Sequence, residues 1–269
     1  MLAAPADFPM QRALGRAFVA FAAGNRLADL AQRGSAKAML PRVSGGPEVV
    51  FLNTSGGLTD GDRLGYHLDI ATDCQIVATT QTAERAYASR GAAAHAEVSA
   101  QVAHGARLDW LPQETILFED SHLQRATTIN LTGDAACLLV ESVVLGRHAM
   151  GESLTRARLT DRRMVTRDGR PIWAETLQIT PEFLATANAA LMGDARAFAV
   201  IAWIAPQAED ALAPLRAALT HPDCHAAASA WDGKCIARIL ARDSWPLKQQ
   251  IATALAALRQ GPLPRVWQL

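Results

Sequence analysis

Aromatic residues are scarce: 269 residues hold two tyrosines, six tryptophans and seven phenylalanines. Little is available to build the paired aromatic platforms of a carbohydrate groove. An excess charge of one sign is lacking too, because Lys plus Arg and Asp plus Glu each number 26, so no net field draws nucleic acid, an anionic membrane or an acidic ligand. A partner must be recognised by shape and local chemistry. The four cysteines, Cys74, Cys137, Cys224 and Cys235, are widely spaced, which argues against a disulfide framework and predicts a reducing, cytoplasmic setting. Apolar runs long enough to cross a membrane are missing as well. The run 17–23 is barely long enough for a signal peptide, and the alternation of Ala17, Val19 and Phe21 against Phe18, Ala20 and Ala22 reads as a first strand. Half of the chain is nonetheless apolar, too hydrophobic for disorder, and a globule is expected.

The length does not force a division, so one domain spanning residues 1–269 is expected. Up to about residue 180 the pattern is of many short strands separated by Gly, Asp and Asn turns, a mainly β fold of layered or β-helix-like sheets. Strands are predicted over 49–53, 66–73, 75–80, 95–102, 126–132 and 136–145. The last is an almost unbroken apolar run interrupted by Glu141 and Ser142, as expected of a strand covered on both faces except at one polar point. Segments 154–165 and 172–180 read as a hairpin about the turn 167–171. Beyond residue 180 alanine-rich segments with helical periodicity suggest two to three helices laid over the sheets. Leu247, Ile251, Leu255 and Leu258 share one face, Ser244 is the predicted N-cap and Gly261 with Pro262 a stop. A second helix is predicted over 207–220, shortened or kinked by Pro214, with strands over 197–204 and 235–241.

The block Ser55-Gly56-Gly57-Leu58-Thr59-Asp60-Gly61-Asp62-Arg63-Leu64 resembles a ligand loop at first sight. It has no lysine to reach a phosphate, its aspartates would repel one, and a strand follows where a dinucleotide loop needs a helix. The spacing and closing glutamate of a calcium loop are absent. A tight turn remains, with glycines supplying positive φ and aspartates bonding the backbone. His221, Cys224 and His225 place imidazole and thiol within five residues but without CxxC or HExxH geometry. Glu114 and Asp120 could serve a β-rich carbohydrate-active hydrolase or lyase as acid and base, although Glu114 and Glu119 would fall on opposite faces of a regular strand. Neither a nucleophile elbow nor a Ser/His/Asp or Cys/His constellation is identifiable.

Several blocks together resemble the UreD family of urease accessory proteins. They are GNRLADLAQRGSAKAMLPRV, NTSGGLTDGDRL, TTQTAERAYAS, LDWLPQETILFEDS, ESVVLGRHAMGE and the closing PRVWQL, in family order. Ala88 departs from the family's arginine, and 206–242 matches no motif. The resemblance implies a non-enzymatic scaffold that binds urease apoprotein and recruits two further accessory proteins, one a GTPase, during nickel insertion, without nucleic-acid or membrane partners. It also implies an internal passage for nickel, with no tightly bound cofactor.

A conduit must release what it carries, and a full set of His or Cys ligands would hold nickel too tightly. On that reasoning Asp60, Asp62, Glu141 and Glu152 are the expected polar lining of a transient nickel route, with Arg147 as counter-charge to Glu141 or Glu152. Each also has a plain structural reading: the aspartates stabilise a turn, and a buried Glu141 pairs with an arginine. A third reading makes the chain a nickel store built on His221, Cys224 and His225.

Overall fold

The computed structural model describes residues 12–43, 45–147, 151–186, 191–259 and 261–267. The chain runs through strands β1 (Leu14–Ala22), β2 (Arg26–Gly34), β3 (Ala36–Met39), β4 (Glu48–Asn53), β5 (Arg63–Ile70), β6 (Gln75–Thr80) and β7 (Glu84–Ala86). It continues with β8 (Ala94–Val102), β9 (Arg107–Leu111), β10 (Thr115–Leu117), β11 (His122–Leu131), β12 (Ala136–Leu145), β13 (Arg158–Arg167) and β14 (Arg170–Ile179). The remainder holds α1 (Pro181–Ala185), β15 (Ala197–Ile204), α2 (Leu212–Ala218), β16 (Cys224–Trp231), β17 (Lys234–Ala241) and α3 (Ser244–Leu258).

From β4 to β13 the chain alternates between two sheets and coils as a solenoid. One sheet has the order β14-β13-β11-β8-β5-β1-β2, the other β16-β17-β15-β12-β9-β6-β4-β3. Strands β1, β5, β8, β11 and β13 are mutually parallel, as are β4, β6, β9 and β12. Parallel strands stacked in this way need both faces covered or a filled interior. The two sheets supply it to each other: Val19, Leu68, Val102 and Ile129 from one meet Val49, Ile76, Leu108 and Leu139 from the other in the main core.

Strand β12 serves two cores because successive side chains point to opposite faces. Cys137, Leu139, Val143 and Leu145 join the main core, whereas Leu138, Val140 and Val144 join a second one beneath the helices. That second core takes Leu247, Ile251 and Leu255 from α3, the face predicted from periodicity, and Leu215 from α2. The N-cap of α3 is Asp243 rather than Ser244: its carboxylate accepts from the Trp245 amide at 2.9 Å. Helix α2 begins late enough to leave Pro214 in its first turn, where no intrahelical N–H is required. In the closing block, buried Trp267 donates from its indole to the Leu111 carbonyl at 2.8 Å.

The predicted hairpin is present, with Asp168 and Gly169 at positive φ between paired Arg167 and Arg170, the conformation a two-residue turn demands. Strands β2 and β16 were not predicted. Both lie at sheet edges with most residues exposed, so the buried alternation that marks a strand is weak or missing there. Gly34 closes the turn from β2 into β3 at φ +62, and a Cβ on it would lie 1.6 Å from the Leu14 carbonyl oxygen. Gly24, at φ +74, has open space around it.

Gly34→Ala is therefore expected to cost about 3 kcal/mol or more, against about 1 kcal/mol for Gly24→Ala. Denaturant unfolding of both variants beside the parent measures this; equal losses would contradict the close approach of Gly34 to β1.

Candidate functional site

The solenoid has a third, narrow side, and four of the six sequence blocks quoted above meet on it. Leu58 bridges Ala86, and β7, β10 and the end of β12 stack in parallel. Backbone bonds tie the rungs together: Leu58 N to Arg85 O at 2.7 Å, Phe118 N to Ala86 O at 3.0 Å, and Gly146 N to Leu117 O at 2.8 Å. Blocks distant in sequence thus become neighbours one rung apart.

Within the first block, Asp62 accepts from the Thr59 and Ala13 amides at 2.9 and 2.7 Å. Asp60 pairs with Arg12 at 3.2 Å, and its own amide donates to Ser89 Oγ. Both aspartates are buried, and they fasten the turn to β1 and to the next rung. Gly57 is required for close approach: a Cβ there would meet the Tyr87 ring at 2.4 Å. Tyr87 in turn stacks on Phe118 at 5.1 Å, and the Arg147 guanidinium lies 5.1 Å from the Phe118 centroid. Arg147 bonds Glu152 at 3.0 Å and is the counter-charge of that residue, not of Glu141. Glu119 receives the Thr155 and Arg156 amides, and Arg156 pairs with Asp120 at 2.5 Å.

Glu141 belongs to a different place, the interior between the sheets. Arg125 of β11 donates through Nε and Nη2 to both oxygens of Asp161 at 2.9 and 2.6 Å, and through Nη1 to Thr115. Its guanidinium also lies 3.3 Å from Glu141. Arg163 of β13 donates to Glu141 at 2.8 Å, contacts Asp161, and reaches Glu175 of β14 at 3.1 Å. Thr127 adds a hydroxyl to Glu141, and Arg238 of β17 completes the series at Glu175, 2.5 Å away. Arg125, Glu141, Asp161 and Arg163 are all buried. Two positive and two negative groups balance, which is the condition under which buried charge is tolerated. Burial alone would raise the Asp161 carboxyl, but Arg125 and Arg163 together hold it below the usual carboxylate range. Desolvation likewise opposes the charge of Arg125, and the two carboxylates override it.

Open space flanks this cluster on both sides. A cavity of about 160 Å³ is lined by Phe51, Tyr66, Glu84, Trp110, Arg125 and Glu141. A second, of about 280 Å³, is lined by Arg163, Glu175, Phe183, Met192, Phe198 and Arg238. Glu141 and Arg163, which bond each other, therefore face different cavities. Glu84 keeps some exposed surface, yet protein encloses its carboxylate on most sides; the burial pushes it up to about 7, with Asn53 and Arg85 offsetting part of the effect. Asn53 donates to both Glu84 oxygens at 3.2 and 3.3 Å.

Of the four expected lining residues, Glu141 alone borders the interior cavities, while Asp60, Asp62 and Glu152 hold surface turns. Glu84, Arg125, Asp161 and Arg163 did not emerge from sequence reasoning. Their signal was a polar residue at an inward position of an alternating strand, as with Arg125 and Thr127 between Leu123 and Ile129. Glu114 lines a small cleft against α3 with Lys248 and Trp267, whereas Asp120 sits in the turn with Arg156. His221 is occupied by Gln249 and the Asp223 amide, and Cys224 opens β16 with His225 following it to the opposite face. Among the described residues no three His, Cys, Asp or Glu side chains converge as a metal site, and no helix is long and apolar enough to cross a membrane.

Two outcomes follow for stability. Arg163→Ala leaves unbalanced buried carboxylates and is expected to cost about 3–5 kcal/mol in denaturant unfolding; a loss within about 1 kcal/mol would mean that water already screens the cluster. Glu84 has a folded-state value above its ordinary 4.5, so the folded protein holds a proton that the unfolded chain has released. Its contribution is present below about 4.5 and is lost as pH rises towards about 7. Glu84→Gln is expected to flatten the stability profile over that interval; a slope identical to the parent would contradict the enclosure of Glu84.

The chain matches the family model described as UreD urease accessory protein over residues 13–268. A urease accessory protein UreD of Cereibacter sphaeroides is 56% identical over 264 residues, 96% of each chain. One from Paracoccus denitrificans is 50% identical over all of this chain and 97% of its own length, and one from Jannaschia 47% over 96% and 97%. With the family model covering nearly the whole chain and relatives at this identity along their full lengths, the chain belongs to the UreD family of urease accessory proteins.

Proposed function

We propose that this chain binds urease apoprotein, joins two further accessory proteins of which one is a GTPase, and offers nickel an internal route towards the urease active site. It acts without turnover of its own and holds nickel only in transit. The observation that carries the reading is the line of charged groups between the two cavities: Glu84 and Glu141 on one side, Glu175 on the other, joined through Arg163. Carboxylates are hard, weak ligands for a metal high in the affinity series, and here every carboxylate in the line already has a hydrogen-bonding partner. A passing cation would compete with Asn53 at Glu84, with Thr127, Arg125 and Arg163 at Glu141, and with Arg163 and Arg238 at Glu175, and could not settle. That suits passage rather than storage, and the alternation of Cys224 and His225 along β16 gives no support to a store built on them with His221.

The same geometry favours a scaffold over a hydrolase. Glu114 and Asp120 are each engaged in separate surroundings, and the aromatic side chains Phe51, Tyr66 and Trp110 line an interior space instead of an open groove.

The test is co-expression with the urease operon components. Ala83, which lines the first cavity, is replaced by Trp to plug it, and Glu141 by Gln to remove the charge while keeping one acceptor oxygen for Arg163. Both variants are expected to capture urease and the accessory proteins as the parent does, while urease nickel content and activity fall several-fold. Normal nickel content with an intact complex would refute the route.

A further inference from the structure

Among the described residues, the first coil of the solenoid ends in an uncovered sheet edge. Strand β2 closes its sheet, pairs among those residues with β1 alone, and exposes all nine of its residues. Its outer edge therefore presents backbone N–H and C=O groups to solvent, a template for a further strand. Leu14, Leu27, Leu30 and Met39, half of the large apolar side chains exposed among the described residues, cluster on β1, β2 and β3. Solenoid ends are ordinarily closed by polar caps, and among the described residues none covers this end.

Charge on the same end is one-sided although the chain as a whole is neutral. Residues 12–42 contain Arg12, Arg16, Arg26, Arg33, Lys37 and Arg42 against the single acid Asp29. Arg12 pairs with Asp60, and among the described residues the other five form no ion pair. The register places Arg16 directly beside Arg33, and Phe18 beside Ala31. Together with Arg63 these residues line a groove of about 650 Å³ on the outer face of the sheet, with Leu14 and Phe18 in its floor. Like charges side by side on neighbouring strands destabilise the pair unless an anion lies between them.

We propose that β2 and this groove are a docking surface for an extended acidic segment of a partner protein, which adds a strand to the free edge and places carboxylates among Arg16, Arg33 and Arg63. The inference deepens the assembly role proposed above and rests on it for the partner's identity, though not for its chemistry. A second copy of this chain is disfavoured as occupant, because antiparallel pairing of β2 with itself about the Asp29 and Leu30 positions sets Arg26 against Arg33. The free edge selects a peptide backbone over other polyanions, since only a peptide completes the ladder.

Two measurements separate this proposal from the broader one. Full-length protein is titrated into a fluorescent peptide of alternating Glu and Val, and into its Lys and Val counterpart. The acidic peptide is expected to bind with marked salt sensitivity, at least tenfold more tightly than the basic one, and to lose at least tenfold on R16E/R33E and on Leu30→Lys. Arg170→Glu, on the opposite edge of the sheet, should leave binding unchanged, and circular dichroism should confirm folding of every variant. Equal binding of both peptides, no binding of either, equal avidity for single-stranded RNA or anionic vesicles, or concentration-dependent dimerisation abolished by Leu30→Lys would each overturn the proposal. In parallel, R16E/R33E is used to capture the co-expressed urease components; it is expected to lose one of them while retaining the rest. Capture of all of them at parental levels overturns the proposal even if nickel delivery stands. Failure of the unaltered protein to capture any would instead defeat the assembly role, leaving the peptide result to decide the chemistry of the edge.

Discussion

Four charges sealed between two sheets set the terms for much of this molecule. Arg125 and Arg163 cannot leave water without Asp161 and Glu141, and the carboxylates cannot stay ionised there without the arginines. Each residue comes from a strand whose register is fixed by its neighbours, so the set assembles only when β11, β12 and β13 are correctly stacked. The bidentate contact of Arg125 with Asp161 has little angular freedom. A slip of one residue in either strand would turn that strand's member of the pair to the outside and leave the other buried without its partner. The cluster also keeps the sheets from closing fully by apolar packing, and the two cavities lie where side chains of the main core give way to it.

Much of the fold was legible in the sequence for a simple reason. Strands such as β4, β6, β8, β12, β15 and β17 are buried on at least one face, and burial writes a period of two or an apolar run. Helix α3 announced itself through its face of Leu247, Ile251 and Leu255. Edge strands β2 and β16 carry almost no such record, and β7 and β10 are too short to show a period at all. The solenoid left no repeat because stacked positions share a location and not a residue type. Leu64, Ala96, Arg125 and Asp161 occupy successive rungs of one column, yet no self-comparison of the sequence would align them.

The candidate site divides in the same way. Glu141 stood out because it is a lone charge in an apolar run, and its need for an arginine followed from desolvation alone. Which arginine could not follow, since Arg163 comes from the opposite sheet and sequence carries no measure of distance across the interior. Arg147 was the nearer choice along the chain and pairs with Glu152 instead. Asp60 and Asp62 behaved as the turn chemistry of their block required. What the sequence did not convey is that their turn lies one rung from Tyr87 and two from Phe118, so that blocks of unlike composition form one continuous lattice of stacked rings, salt links and backbone bonds.

A solenoid stacked in this way is close to a one-dimensional object, in which each coil is stabilised chiefly by the coil before and the coil after it. Interior coils have two such neighbours; among the described residues the first has one. Cooperativity therefore weakens towards β2, and the amides of β1 and β2 should exchange with solvent through openings smaller than those that unfold β11 to β13. Whatever settles on β2 acts as the missing neighbour. It would raise the local unfolding free energy of the first coil and, through β5 and β8, tighten by decreasing steps the strands that lead to the charged interior. The exposed edge at β2 and the sealed centre are thus coupled through strand pairing.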